Sequence, residues 1–202
     1  MKRTILIFIT LAALFTFGTI LYRSFFYAPT DEIPVDPSDI SSTAIKSTST
    51  TDIPITSYPS RLSIPKINVD ANIQKVGITA KGNMATPNNF TDVGWYKYGA
   101  LPGVMGSAVI AGHVNNGLNF PAVFSKLGDL SAGDDVYVTT ENGTMLHFKV
   151  TGSKVYDFNQ KVDEVFKQND NKFLKLITCT GTWVPKYKTH DKRLVVSAML
   201  VE

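Results

Sequence analysis

The stretch ILIFITLAALFTFGTILY, Ile5–Tyr22, carries no charge over eighteen residues, and it fixes how this 202-residue chain can be divided. About twenty apolar residues in a helix span a bilayer, whereas a signal-peptide core is shorter. Beyond the run, bulky Phe26 stands two residues before Ala28, where a cleavage site needs small side chains. The run is therefore expected to remain on the protein, with residues 1–27 forming a cytoplasmic stub and a transmembrane signal anchor. Lys2, Arg3 and the amino terminus outweigh Arg23 on the far side. That asymmetry keeps the short end in the cytoplasm and exports the rest.

Residues 28–59 are a second constraint. Of these 32 residues, 21 are Pro, Ser, Thr or Asp, and none is Phe or Trp. So little apolar surface cannot offset the entropy of ordering the backbone, so a disordered stalk is expected there. What is left, 60–202, is 143 residues, enough for one domain with its own core. It carries 16 Lys and Arg against 12 Asp and Glu, scattered along the chain. That mild surplus argues against a nucleic-acid partner. There is no internal repeat, no Gly-rich phosphate loop, and no His/Cys cluster with metal spacing, so no cofactor and no metal are expected.

Within 60–202 the hydrophobic period is two. Leu146, Phe148 and Val150 alternate with Met145, His147 and Lys149, and Val136 and Val138 alternate in DDVYVTT. The runs SAVIAGHV, FLKLITC and RLVVSAMLV are denser, as expected of strands covered on both faces. Turn signals separate the runs at 81–83, 101–103 and 141–143. Short helices are expected near AVFSKLGDL and at VDEVFKQ, where Val162, Val165 and Phe166 share a face. The fold class is all-β with minor helix, a closed barrel or sandwich.

Cys179 is the only cysteine, so no internal disulfide can form. An unpaired exported thiol is a buried small hydrophobe, half of an intermolecular bridge, or a nucleophile. Cys179 follows an apolar run and precedes TGT, residues suited to a loop mouth. A working thiol needs a proton carrier and a group to steady an oxyanion. Of the three histidines, His147 alternates with the inward set and should face solvent. His190 falls in KYKTHDKR, read as a polar loop, and His113 ends the buried run AVIAG. Arg193 opens RLVVSAMLV and either decorates a strand start or leans over the same end of the domain as Cys179.

These residues carry a family resemblance. LITC at 176–179, Gly112–His113 after a buried strand, and Arg193 at the start of the last strand stand in the order found in sortases. SIPKINVDANI at 63–73 and VFSKLGDLSAGDDVYV at 123–138 resemble further segments of that family, so the resemblance covers about 61–201. ATPNNFTDVGWYKYGALPGVMGSAVIAGHV is most similar to class F and class E-like sortases. Two departures stand out: Asn115 takes a position often held by an acid, and TGTWVPKYKTHDK replaces a glycine-rich loop.

The resemblance implies a closed eight-stranded β-barrel over 60–202 and a membrane-anchored cysteine transpeptidase. Such an enzyme cleaves an LPxTG-like sorting motif after Thr and joins the acyl group to an amine of a cell-wall precursor or pilin. Cys179 would be the nucleophile, His113 the general acid/base, and Arg193 the group holding an oxyanion or substrate carbonyls. Backbone donors near Thr178 and Thr180 would share that last task. The implied partners are surface proteins bearing a C-terminal sorting signal, the amine acceptor, and the membrane through residues 5–22. Two rival readings are a non-catalytic surface-exposed β-barrel binding module and a cysteine peptidase acting mainly by hydrolysis. A papain-like enzyme places its cysteine before its histidine, and an L,D-transpeptidase places a histidine just before the cysteine. Neither order is found here.

Overall fold

The computed structural model describes residues 2–28, 57–167 and 170–201. Most of the expected stalk, 29–56, lies outside the described residues. Helix α1 (Lys2–Phe26) contains a span, Phe8–Phe26, long and apolar enough to cross a membrane by length and composition. Phe8, Leu14, Phe15 and Phe17 on it are exposed. Just past it, Ala28 N–H donates to Asn88 O (2.8 Å), and Phe25 stacks on Phe120 with ring centroids 5.6 Å apart.

The remainder is mostly strand: β1 (Pro59–Ile64), β2 (Val69–Val76), β3 (Val93–Tyr96), β4 (Gly106–Ala111), β5 (Asp135–Thr140) and β6 (Met145–Asp157). The short helix α2 (Asp163–Phe166) precedes β7 (Lys172–Val184) and β8 (Thr189–Leu200). They close a barrel in the order β1-β2-β3-β4-β7-β8-β6-β5, with β5 returning to β1. Two neighbours are parallel, β2 with β3 and β4 with β7; all others are antiparallel. Parallel pairing requires a long crossover, and the one between β4 and β7 contains β5, β6 and α2.

The period-two alternation is seen directly. Val136, Val138, Leu146, Phe148 and Val150 are buried, and they join Leu62, Ile64, Trp95, Ile110, Phe124, Leu174, Leu176 and Val196 in one core. Each such side chain, fully covered, contributes about 1.5–3 kcal/mol. The denser runs divide differently from expectation. β4 is buried from Gly106 through Ile110, because α2 lies on its outer face and Val165 packs on Val109. β7 instead alternates: Leu174, Leu176 and Thr178 are buried, while Lys175, Ile177 and Cys179 are half-buried. A closed barrel has only one inner face, and the short α2 covers only part of the outside.

Two further expectations change. AVFSKLGDL supplies only a 3-10 turn, Leu127–Asp129, in place of a helix, with Leu127 buried. The polar loop at 180–192 is instead a β-hairpin: β7 runs on to Val184 and β8 starts at Thr189, so His190 is a strand residue paired with Trp183. Its turn is a 3-10 segment, Pro185–Tyr187, closed by Lys188 in the left-handed region (φ 50°). The β1–β2 hairpin uses the same device, Pro65–Ile67 followed by Asn68 at φ 55°. Proline starts each turn at its preset φ. Asparagine accepts the left-handed conformation more readily than lysine does.

The barrel begins slightly earlier than residue 60. Ser57 Oγ accepts from Asn142 N–H (3.1 Å), and Tyr58 O accepts from Glu141 N–H (2.8 Å). The Tyr58 ring lies 5.8 Å from that of Trp95, under Lys75 Nζ at 3.6 Å. A chain beginning at Ser57 should therefore be more stable than one beginning at Ser60 by about 1–2 kcal/mol, the sum of two modest hydrogen bonds and partial ring burial. Thermal melting of the two chains checks this; equal midpoints would show that Ser57 and Tyr58 contribute nothing.

Candidate active site

Strand register brings the predicted residues together. β4 and β7 pair through Ala111↔Ile177, and the ladder continues one step further. Gly112 N–H donates to Ile177 O (3.0 Å), and the buried Thr178 hydroxyl donates to Gly112 O (2.8 Å). His113 therefore lies beside Cys179. On the other side, β7 and β8 pair Cys179 with Arg193. The three residues occupy one row across neighbouring strands.

They also share a face. Leu174, Leu176 and Thr178 point inward on β7, so Cys179 points outward. Leu194 and Val196 point into the core on β8, which turns Arg193 outward. On β4 the inward residues are Ala108 and Ile110. Gly112 continues that inward row, since a Cβ there would stand 2.5 Å from the Phe124 ring. His113 continues the outward row. The site is thus a patch on the outer wall of the barrel at one end, bounded below by Ile177, Val195 and Val165.

His113 is held closely. Its Nε2 lies 3.1 Å from Pro87 O, its ring lies 5.2 Å from that of Phe90, and its carbonyl accepts from Phe124 N–H (2.9 Å). A carbonyl can only accept, so Nε2 carries the proton and Nδ1 carries the lone pair in the neutral ring. Burial pushes its pKa below the ordinary histidine value, and the bond to Pro87 opposes that only in part. Among the described residues, no carboxylate bonds the ring. Asn115, where an acid often stands in relatives, bonds Asn119 instead.

Arg193 is anchored by the hairpin. Nη1 donates to His190 O (2.9 Å) and Lys192 O (2.8 Å), and Nη2 donates to the Thr189 hydroxyl (2.8 Å). Three of the five guanidinium N–H groups are thus engaged, and among the described residues the other two have no acceptor. A bulge follows Cys179, where the β7–β8 register shifts between Thr180 and Trp183. Gly181 sits there at φ 81°, and any Cβ on it would collide with the Asp191 carboxylate. That carboxylate accepts from Thr182 N–H (2.7 Å), so the strand bends without breaking. Thr178 spends its hydroxyl on the β4 junction; Thr180 is half-buried at the bulge.

The other two histidines differ: His147 stands apart, while His190 lies against Arg193. His147 pairs with Asp135 (2.6 Å) and stacks on Tyr137, facing outward on β6 as its alternation predicts. His190 meets Trp183 edge-on near the hairpin tip. Among the described residues no group of three or more His, Cys, Asp or Glu side chains could hold a metal ion.

A sortase domain model matches residues 62–201, which is most of the chain and all of the barrel but the start of β1. The chain is a sortase. It belongs to that family of cysteine transpeptidases, and solved structures agree. Sortase C-1 from Actinomyces oris is 27% identical over 71% of this chain and 73% of its own, with a TM-score of 0.54. A Clostridium perfringens Sortase D5 transpeptidase is 25% identical over 72% and 79%, TM-score 0.54. Sortase C2 of Group B Streptococcus Pilus Island 1 is 25% identical over 71% and 73%, TM-score 0.54. A search of curated proteins found no match. The finer resemblance to class F and class E-like sortases is not supported, since these structures carry class C and class D names.

Sequence reasoning missed Pro87 and Phe90, the groups that touch His113, and Thr189, which anchors Arg193. The segment TPNNF offered a signal only in hindsight: a proline and an aromatic in a polar connection. Gly112 yields the sharpest test of the packing beneath this sortase site. Gly112→Ala should cost about 1–3 kcal/mol as the new methyl displaces Phe124, and should lower activity by moving His113. Chemical denaturation checks the stability, and an unchanged midpoint would show that the Gly112–Phe124 approach is not a constraint.

Proposed function

We propose that Cys179 cleaves an LPxTG-like sorting motif after its threonine and transfers the acyl group to an amine. The Cys179 thiol gives its proton to His113 Nδ1, the sulfur attacks the threonine carbonyl carbon, and the carbonyl π electron pair moves onto oxygen. Arg193 donates its two remaining N–H groups to that oxyanion or to neighbouring substrate carbonyls, with backbone donors around Thr178 and Thr180 beside it. As the C–N bond breaks, imidazolium His113 gives its Nδ1 proton to the departing glycine amine. The thioester that remains is attacked by the acceptor amine, whose proton passes to His113 as the C–S bond breaks. One amide is exchanged for another, and His113 returns the proton to the departing sulfur, restoring thiol and imidazole. The observation that carries this reading is the row His113–Cys179–Arg193 on one outer face, with an arginine that keeps donors to spare.

The substrates are exported proteins ending in such a motif, and the acceptor is a cell-wall precursor amine or a pilin lysine. A pilus acceptor fits the similarity to the Group B Streptococcus Pilus Island 1 sortase. Residues 5–22 tether the enzyme in the membrane with its amino terminus in the cytoplasm and the barrel outside. Tethering raises the effective concentration of catalyst toward substrates halted at the same surface.

The decisive experiment is mass spectrometry of the enzyme mixed with sorting-motif peptides. A thioester adduct is expected on the wild type and none on Cys179→Ala, whose melting midpoint should be unchanged. His113→Ala should slow peptide turnover by about 10²–10⁴-fold, while His147→Ala and His190→Ala stay within a few-fold. Retained cleavage in Cys179→Ala would overturn the reading.

Arg193 separates charge from geometry. Lysine keeps the charge but loses the planar fork, so Arg193→Lys should lower turnover by about 10²–10³-fold. Iodoacetamide should still alkylate Cys179 in that variant. Turnover above about a third of wild type would remove Arg193 from the chemistry.

A further inference from the structure

A histidine that moves protons is commonly oriented by a carboxylate, yet among the described residues no acid bonds His113. What touches it is the connection 87–92, and that connection is latched to the barrel wall. Gln74, on β2, binds it at three points. Its Nε2 donates to Asn88 Oδ1 (2.8 Å) and Asp92 Oδ2 (2.9 Å), and its Oε1 accepts from Asn88 N–H (3.1 Å). Asn89 closes the turn from inside, donating to Asp92 Oδ2 (2.8 Å) and accepting from the backbone N–H groups of Thr91 (3.0 Å) and Asp92 (2.7 Å). On the far side, Phe90 O accepts from Val123 N–H (3.0 Å). Between these fixed points lie the two groups that meet the imidazole: buried Pro87, whose carbonyl accepts from Nε2, and Phe90, whose ring lies against it.

We propose that Gln74, acting through the Asn88–Asn89–Asp92 cluster, is the positioning residue for His113, doing with a fixed carbonyl what an acid does in other proton-carrying histidines. Pro87 suits the task because its ring fixes φ, and its carbonyl holds Nε2–H without adding charge. Nδ1 is thereby left as the nitrogen that exchanges protons with substrate. Gln74 suits its own task because an amide both donates and accepts, so one side chain ties a backbone N–H and two side-chain acceptors. The inference deepens the proposed function and rests on His113 being the proton carrier there.

The test uses Gln74→Glu, which keeps size and the acceptor but loses the donor and sets a second carboxylate against Asp92. Gln74→Glu with Asp92→Asn restores a donor and an acceptor across the same gap with the roles exchanged. We expect Gln74→Glu to lower kcat on a sorting-motif peptide by about tenfold or more, with KM within twofold, since misplacement of a catalytic group by about 1 Å costs up to 10²-fold. The double variant should return to within about threefold of wild type. Cys179 alkylation by iodoacetamide should be equal in all three proteins. The nitrogen-15 resonance of the His113 Nε2–H group should be visible in wild type and the double variant, and lost to water exchange in Gln74→Glu at an unchanged melting midpoint. Unchanged kcat and an unchanged ring resonance in Gln74→Glu would overturn the proposal. So would a loss of kcat with the ring resonance intact, or a double variant no better than the single one. If wild type cleaves no peptide, the functional reading fails by itself, and the ring resonance alone decides whether Gln74 positions His113.

Discussion

The parallel register between β4 and β7 is the constraint on which the site depends. Two parallel strands share their direction, so the residues leaving the C-terminal end of β4 lie beside those at the same height on β7. Gly112–His113 on one strand and Thr178–Cys179 on the other are adjacent for that reason. Two hydrogen bonds, from Gly112 N–H to Ile177 O and from the Thr178 hydroxyl to Gly112 O, carry the pairing past the end of β4. The glycine is required because the core member Phe124 fills the space a side chain would take. Sequence positions 66 residues apart (179 − 113) are thus locked side by side by ordinary sheet geometry.

The antiparallel β7–β8 hairpin supplies the third member by a different principle. Cross-strand pairing sets Arg193 opposite Cys179, and the bulge at Gly181 bends the hairpin without ending it. The carbonyls of His190 and Lys192 and the Thr189 hydroxyl then hold the guanidinium. A flexible side chain so fixed loses little further freedom when a ligand binds it, which is how preorganised donors become effective. Each of the two polar groups beside the thiol is held by a neighbouring segment: Arg193 by the hairpin, His113 by the connection after β2.

The outer wall of the barrel is divided by α2. Val165 packs on Val109, Val195, Tyr156 and Ile177, making a small second core outside the barrel. That cluster explains why β4, and β8 over Leu194–Val196, are buried on both faces while β7 is not. His113, Cys179 and Arg193 lie beyond that cluster and are each half-buried.

Much was legible from sequence because it depends on local pattern. The apolar run before residue 23, the period-two strands and the turns at 81–83, 101–103 and 141–143 follow from residue types a few positions apart. The trio Cys179, His113 and Arg193 was legible as a candidate through family motifs that set each at a strand end, whereas Cys179 and Arg193 lie inside long strands. The sequence could not show that TGTWVPKYKTHDK is a hairpin and not a loop. Its residues are exposed or half-buried and mostly polar, so no hydrophobic alternation marks the strands, which are held by backbone pairing and by contacts such as Thr182 with Asp191 and Trp183 with His190. It also could not say which groups touch His113, since Pro87 and Phe90 arrive from a connection between two other strands. Sequence determined which segments become strands, because that choice is made by each segment's own side chains. Tertiary structure alone decided the row of the site and the setting of His113, because both depend on register between strands distant in the chain.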